Sequence, residues 1–517
     1  MAVNTESSQY NAMKQAGSWD LCSDLLGGTK AMRAAGRKWL PQESEEEDKN
    51  YEVRVSRSFL FNAYRNTIDK YVSRPFSRPA TWDVKNNPEA KAAIEPVMDD
   101  MDGEGQTHQD YAREWLRAML EWGPAHSYAD YPQIDDPNNT TKKDEQDNDI
   151  KPINKIIRAP MLIGWKTEEQ PNGSQKIVEI RVKELYVEDG DNWEQTVYEQ
   201  IRVVTATKWE LYRKEKEKGG KKIENSEWGT TPTESGTIQM NGEEPTDIPL
   251  VTIYAEKWAQ LMALPPFLDM AWTNLELWQS ASDQKNILRF DRLGILLFTG
   301  FDEDEIKKGV KVSPTQALST ANEKANGKRI ETNGAPAENG WKDIRDIMER
   351  LEIQGSDPMI QRMANVKAAG INANEDKSRS EAESWVSVLS LGMRKLMQWD
   401  LRWMGYEVRL EDIEYNIHQD FVFGTAIANE IKSLIEMRKM GDISQVDFLK
   451  EMQRYAVLMD GDVNELAARA QTDQGRGIGM FGEDRTSQPG TSAAADIIAG
   501  QAIDQAGETE AIGTPGI

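Results

Sequence analysis

Apolar residues recur at helical spacing in several stretches of the chain, and most of these stretches have clear ends. Tyr111, Trp115 and Met119 form one stripe of the segment HQDYAREWLRAMLEWG, which Gly123-Pro124 stops. Aromatic and aliphatic residues between Phe59 and Ile68 repeat this spacing. The pattern predicts helical segments over residues 23–40, 51–71 and 108–123.

Between residues 155 and 254 the pattern changes to short runs of β-type residues. Residues 177–182 read Ile-Val-Glu-Ile-Arg-Val, which is typical of strands that are half exposed to water. The two charged stretches 133–155 and 215–246 predict a long loop and a loose excursion between strands. The predicted strands lie in HSYADYP, APMLIGW, KIVEIRVKELYV, QTVYEQIRVVTATKWELYR and IPLVTIY.

A long helix is predicted in the segment LPPFLDMAWTNLELWQSASDQKNILRF. Pro265 and Pro266 suit its first turn, where a missing N–H costs nothing. At ~1.5 Å per residue such a helix is nearly 40 Å long. With a single apolar stripe it needs a neighbour to pack against. The residues assigned to that stripe follow one another at steps of four, three and three: Leu268, Trp272, Leu275 and Trp278.

The chain then becomes poor in apolar residues from Gly300 to Asn339, which predicts an exposed projection. A return helix is expected from Trp341 to the break at Gly355 and Asp357-Pro358. Residues 370–380 are expected to form a polar loop, and Ser380 with Glu383 has the spacing of a capping box for the next helix. The buried stripe of that helix is predicted to be Trp385, Leu389, Leu396, Trp399 and Trp403.

The last third of the chain predicts a short strand, a helical pair and a loose tail. The strand lies in DIEYNIHQDFVF, and Gly441 separates the two helices. Ser444 is the expected N-cap of the second helix, with Asp447 in the place of the capping-box acid. Residues 471–517 are rich in Gly, Ala, Thr and Ser and are expected to be disordered.

Charge and cysteine content narrow the classes of protein. The formal net charge of −25 over 517 residues argues against a surface that grips nucleic acid, because phosphate binding depends on Lys and Arg. The single cysteine, Cys22, forms no internal disulfide and fits a reducing compartment. The start MAVNTESSQY predicts no secretory signal, and no apolar run approaches the ~18 residues of a membrane span.

No cofactor, metal or catalytic site is predicted with any specificity. The three histidines, His108, His126 and His418, are widely spaced and favour packing or surface roles. The glycine-rich phosphate loop of nucleotide hydrolases is absent from the sequence. The acidic run Asp302 to Glu305 favours a solvated helix start, with a divalent-cation site for nuclease chemistry as the alternative.

The order of these parts resembles the portal proteins of tailed bacteriophages, in particular a branch of phage and prophage portals with an uncharacterised domain. The segments that carry the resemblance are GGTKAMRAAGRKWLP, FLFNAYRNTIDKYVSRPFSRP, EWGPAHSYADYP, PPFLDMAWTNLELWQSASDQKNILRF and GDISQVDFLKEM. The resemblance implies an α+β portal fold. Its expected parts are a wing (1–262), a first stem helix (263–298), a clip (299–340), a second stem helix (341–364), a tunnel loop (365–380), a tunnel helix returning to the wing (381–424), a helical crown (425–470) and an acidic tail (471–517).

The resemblance also implies function and partners. Such subunits form a ring, usually a dodecamer, at one capsid vertex of the virion after assembly in the host cytoplasm. The ring is the channel for double-stranded DNA and the docking site for the major capsid protein, the terminase large subunit and adaptor or tail proteins, without a membrane.

The same resemblance assigns roles to residues. The stem stripe named above is expected to pack between subunits, and six basic residues are candidates for contact with DNA in the channel: Lys324, Lys328, Arg329, Lys367, Lys377 and Arg379. The alternatives are a metal-dependent phage nuclease that uses the acids at 302–305, and a scaffolding or adaptor protein without a channel.

Overall fold

A computed structural model describes most of the chain. The described residues are 3–132, 150–190, 194–218, 220–223, 227–293, 295–299, 326–330, 335–355 and 368–418, with parts of 432–449. The chain divides into two units, residues 1–421 and 422–517. The fold is α+β, as predicted.

The first unit begins with short helices that surround a small sheet. Three antiparallel strands form this sheet in the order β10 (Leu250–Tyr254), β2 (Pro124–Asp130), β3 (Ile153–Arg158). Ala125 of β2 lies opposite Ile253 on one side and Arg158 on the other. The elements up to this sheet are α1 (Ser8–Ala16), α2 (Trp19–Leu26), α3 (Gly28–Ala35), α4 (Asp48–Arg57), α5 (Ala63–Ser73), β1 (Thr81–Val84), α6 (Pro88–Asp99), α7 (His108–Trp122), β2 (Pro124–Asp130) and β3 (Ile153–Arg158).

A larger antiparallel sheet follows, in the order β4-β5-β6-β7-β8, with β9 also paired to β7. The alternation at 177–182 correctly predicted that these strands have one face in water, because Ile180 and Val182 are buried while their neighbours are not. Its strands are β4 (Leu162–Glu169), β5 (Gln175–Asp189), β6 (Gln195–Thr205), β7 (Lys208–Lys218), β8 (Lys221–Lys222) and β9 (Glu234–Thr237); the chain continues through β10 (Leu250–Tyr254), β11 (Glu256–Ala259) and β12 (Met262–Leu264).

The second half of the unit is built from three long helices and a two-stranded ribbon. β13 and β14 pair antiparallel, with Ile295 opposite Ile330. After the last long helix, β15 pairs with β1 in the N-terminal part. These elements are α8 (Leu268–Leu293), β13 (Ile295–Thr299), β14 (Asn326–Ile330), α9 (Ala335–Gly355), α10 (Ala368–Trp403) and β15 (Ile413–Asn416).

Two hydrophobic cores hold these elements together. The main core collects the helices α5, α7, α8, α9 and α10, and at its centre the rings of Tyr71, Phe267 and Trp385 lie 5.2 to 5.6 Å apart. The second core packs Tyr10, Met13 and Trp19 against the buried face of the larger sheet. Burial of apolar surface stabilises a fold by ~25 cal/mol per Å², so these contacts are the main source of stability.

The sharp end of α7 was predicted correctly from Gly123-Pro124. Gly123 has φ of 97°, which glycine adopts without strain. A Cβ at this position would lie 2.6 Å from the carbonyl oxygen of Ala263, so β12 passes too close for any side chain. The turn into β2 therefore requires glycine on two independent grounds.

Three predicted boundaries were wrong. The helix expected over 51–71 is interrupted after Arg57, because Ser58 is extended and Asn62 starts a new helix by accepting a hydrogen bond from the Arg65 N–H at 3.1 Å. The first stem helix does not reach 298, because residues 295–299 pair with 326–330 as a ribbon. The helix predicted for the second stem already includes residues 335–340, so its start at 341 is wrong, while its predicted end at 364 lies outside the described residues.

The polar loop expected over 370–380 is also wrong, since α10 runs without a break from Ala368 to Trp403. Ser380 is therefore inside a helix and does not cap one. Gly, Asn, Asp and Ser make up most of residues 370–380 and have lower helix propensity than Ala, but propensity is a weak prior that tertiary context overrides. At ~1.5 Å per residue the 36-residue α10 is about 54 Å long.

The second unit is described only in part. Within it the predicted N-cap is confirmed, because Ser444 Oγ accepts the Asp447 N–H at 3.1 Å, and the Ser444 hydroxyl donates to the Asp447 carboxylate at 2.6 Å. Most of the expected crown, 425–470, and all of the tail, 471–517, lie outside the described residues.

Candidate assembly surface and channel segments

The two tryptophans of α8 lie on different faces of the helix. Trp278 is 1% exposed and belongs to the main core, whereas Trp272 is 46% exposed. They are six positions apart in the sequence. At 3.6 residues per turn this places the two side chains about 120° apart around the helix axis. The single stripe predicted for this helix is therefore wrong.

The members of that stripe divide accordingly. Leu275 is buried in the main core with Trp278, and Leu268 packs against the same core from its edge. Within this chain these side chains are already covered, so Leu275 and Trp278 stabilise the subunit itself rather than a contact between subunits. Of the four residues, only Trp272 presents a large exposed apolar surface.

Trp272 sits in a defined setting on the exposed face of α8. Its ring makes an edge contact with Trp39, with the centroids 6.2 Å apart. Gln279, two turns further along α8, donates from Nε2 to the Trp39 carbonyl oxygen at 2.6 Å and so fixes the backbone beside this pair. The remaining edge of the Trp272 indole faces solvent, and the acids Asp269, Glu276 and Asp283 are spaced along the same face.

The buried face of α8 carries a polar residue that sequence analysis did not identify. Asn274 is fully buried, accepts the Tyr64 N–H at 3.0 Å and donates to the Phe61 carbonyl oxygen at 2.8 Å. The Tyr64 N–H belongs to the first turn of α5 and has no partner within that helix. Asn274 therefore caps α5 from a different element, which no local sequence signal could indicate.

Replacing Asn274 with alanine is expected to lower the free energy of unfolding by about 1–3 kcal/mol, because the buried Tyr64 N–H loses its partner and the Phe61 carbonyl keeps only the Ala63 N–H. Urea titration checks this. The matched control is Glu276→Ala on the exposed face of α8, which removes only the surface ion pair with Arg350 and should change stability by less than about 1 kcal/mol. Equal effects of the two substitutions would contradict this role for Asn274.

α8 and α9 pack against each other in antiparallel directions. Gln284 on α8 donates to the Ala337 carbonyl oxygen at 2.6 Å, and Glu276, two turns earlier on α8, pairs with Arg350 at 2.8 Å. Gly340 allows the close approach, since a Cβ there would overlap the Gln284 side chain. The β13–β14 ribbon lies between the two helices in the chain.

Four of the six residues predicted to face DNA lie on described elements. Lys328 and Arg329 lie on β14 in register with Leu297 and Leu296 of β13. Lys377 and Arg379 lie in the first third of α10, in a helix and not in the tunnel loop that was expected. Lys324 and Lys367 are outside the described residues, as is the acidic run 302–305 of the nuclease alternative.

Two histidines have clear packing roles. His126 is buried in β2 with Nδ1 2.9 Å from Thr252 Oγ1, and burial lowers its pKa to about 3, so the ring is neutral. His108 contacts the Tyr415 hydroxyl at 3.1 Å, and burial lowers its pKa as well. Over the described part of the chain, no group of three or more His, Cys, Asp or Glu side chains is arranged to hold a metal ion. Nor does any described helix have the length and hydropathy of a membrane span.

The three long helices coincide with a family match. Residues 266–404 match the model of a family described as a domain of unknown function (DUF4055), so the match begins just before α8 and ends just after α10. No curated protein matches the chain.

Solved structures similar to the chain come from gene transfer agent (GTA) particles. A chain from the neck of an empty GTA particle, computed with C6 symmetry, is 12% identical with a TM-score of 0.40, over 74% of this chain and 88% of that one. A chain from the virion of the native particle is also 12% identical with a TM-score of 0.40, over 82% of this chain and 97% of that one. A chain from the neck of the native particle, computed with C12 symmetry, has 12% identity and a TM-score of 0.38, over 74% and 87%.

Proposed function

We propose that this chain is the subunit of a phage portal: copies join head to tail in a ring at one capsid vertex, and the ring is the channel through which DNA is packaged and ejected. The observation that carries the proposal is the order of elements from α8 to α10. An antiparallel helix pair is joined through a small ribbon, and the chain then returns to the α+β body through a 36-residue helix. This is the order of stem, clip, stem and tunnel helix that the sequence resemblance implies.

Self-association is supported by the exposed face of α8. The exposed indole of Trp272 packs against Trp39, whose carbonyl oxygen accepts a hydrogen bond from Gln279. Such a large aromatic side chain is the kind of anchor that protein interfaces use. A ring needs two unlike surfaces that meet head to tail until rotation closes it. Trp272 would be the anchor of one of these surfaces.

The charge of the chain suits a channel rather than a gripping site. An acidic ring repels phosphates and offers a duplex few places to bind. In this proposal Lys328 and Arg329 of the ribbon and Lys324 of the predicted clip make brief phosphate contacts, and Lys367, Lys377 and Arg379 do so along the channel. The terminase large subunit docks at the clip, while adaptor or tail proteins and the major capsid protein contact the outside of the ring.

Negative-stain imaging of the purified full chain tests this proposal. We expect discrete rings with a central hole and a mass of about twelve subunits of 58.5 kDa each. Compact particles without a hole, together with divalent-cation-dependent cleavage of DNA, would favour the nuclease alternative. Oligomers that enclose no bore would favour a scaffolding or adaptor role.

A further inference from the structure

A buried acid–amide pair joins the end of α10 to the three-stranded sheet. Asp400 lies in the last turn of α10 and Asn154 near the start of β3, and both are fully buried. Asn154 Nδ2 donates to Asp400 Oδ2 at 3.1 Å. This one contact links residues far apart in the sequence.

Each of these side chains has one oxygen that accepts no hydrogen bond from any described residue. These atoms are Asn154 Oδ1 and Asp400 Oδ1, and both are shielded from solvent. Two buried acceptors without a donor are costly, and a buried carboxylate without a cation is more costly still. A single proton on Asp400 Oδ1, donated to Asn154 Oδ1, would satisfy both atoms and remove the charge.

We infer that Asp400 and Asn154 form a neutral acid–amide pair with two hydrogen bonds, and that loss of its proton weakens the contact between α10 and the sheet in a pH-dependent way. In the protonated pair the amide N–H donates to one carboxyl oxygen and the carboxyl O–H donates to the amide oxygen. On ionisation the second hydrogen bond is lost and an unpaired charge remains in the core. The last turn then keeps its other tie to the sheet, the hydrogen bond from Trp403 Nε1 to the Ala129 carbonyl oxygen at 3.1 Å.

The surroundings agree with a neutral pair. Burial raises the pKa of Asp400 to about 7, and the hydrogen bond from Asn154 opposes this shift. The ionisable group that interacts with Asp400 from α7 is Tyr111, whose hydroxyl lies 2.6 Å from Ser127 Oγ and whose pKa is raised by burial, so it too is neutral. Further buried or partly buried ionisable side chains on elements packed against α10 are His108 and Glu121 of α7, His126 and Tyr128 of β2, Tyr254 of β10 and Tyr415 of β15.

The stability of the fold should fall as the pH rises, because the pKa of Asp400 is raised in the folded state. An aspartate has a pKa near 3.9 in the unfolded chain, so the folded state binds this proton more tightly. The stability that the pair contributes is fully present below about pH 4 and is lost as the pH rises to about 7. Across this window the unfolding equilibrium constant is expected to rise roughly tenfold per pH unit because of this one group.

The test compares the full-length protein with Asp400→Asn, in which a neutral amide replaces the acid. Urea unfolding is measured from pH 5.5 to 8.5, away from the sequence pI of about 4.8. The ratio of the two unfolding constants, wild type over variant, should rise roughly tenfold per pH unit up to about pH 7 and then level off. Burial also shifts the pKa values of His108 and Glu121, so the ratio of the two unfolding constants is the readout. The matched control is Asp346→Asn on the exposed side of α9, which should keep the wild-type profile.

A second measurement does not depend on the variant being stable. Infrared spectra of the folded wild type with 13C-labelled aspartate should show a protonated carboxyl band at pH 5.5 that disappears as the pH passes about 7. Absence of that band at pH 5.5, or identical pH profiles for wild type and Asp400→Asn, would overturn the inference. Neither readout involves ring formation, so failure here and failure of the portal proposal are distinguishable.

Discussion

Replacing Trp278 with alanine is expected to lower the free energy of unfolding by about 3–5 kcal/mol, the range for removing a buried large aromatic side chain. The indole is 1% exposed in the core that joins α8 to α5, α7 and α10. The loss combines the apolar surface no longer buried and the cavity left behind. Urea unfolding at protein concentrations low enough to keep subunits separate measures it, because assembly would add its own stabilisation.

Trp272→Ala is the matched control, since it removes the same side chain from the same helix. Trp272 is 46% exposed, so its removal should cost less than about 1 kcal/mol in the separate subunit. If the two substitutions destabilise the subunit equally, the assignment of the two faces of α8 is wrong.

Replacing Trp272 with aspartate is expected to abolish ring formation while the subunit stays folded. If this indole anchors the contact between subunits, the substitution places an unpaired charge in a surface that becomes buried on assembly, a change that costs about 3–5 kcal/mol per contact. Because every subunit of a ring repeats the contact, the loss is multiplied around the ring. Sedimentation velocity and negative-stain imaging give the assembled fraction, and circular dichroism reports the fold.

Trp258→Asp provides the control for this prediction. Trp258 is an equally large and 54% exposed indole, but it lies on β11 rather than on α8. Rings should form with this variant as with the wild type. Rings that persist in Trp272→Asp, or disappear equally in both variants, would show that the exposed face of α8 does not carry the contact.

Four of the six basic residues proposed to contact DNA lie on described elements. Lys328 and Arg329 lie on β14 of the ribbon, and Lys377 and Arg379 lie on a continuous helix where a loop was expected. A helix presents its side chains at fixed intervals and loses less entropy than a loop when it contacts a ligand. Basic residues there would therefore act as fixed points along a channel rather than as a flexible constriction.

Local signals were sufficient wherever a boundary depends on residues close in the sequence. Gly123-Pro124 ended α7, the alternation at 177–182 gave the half-exposed strands, and Ser444 with Asp447 gave a cap that the structure confirms. Each of these features is set by the conformational preference or hydrogen bonding of a few neighbouring residues. The sequence alone also determined the α+β class and the order of the long helices.

The tertiary structure decided which surfaces meet. Residues 295–299 form a strand because 326–330 lie beside them, Asn274 caps α5 from a distant helix, and Asp400 meets Asn154 across the core. Trp272 and Trp278 are the same residue type on one helix, and only the packing of α5, α7 and α10 around α8 buries one and exposes the other. Spacing along a helix fixes the angle between two side chains, but the neighbours that cover each face come from elsewhere in the chain.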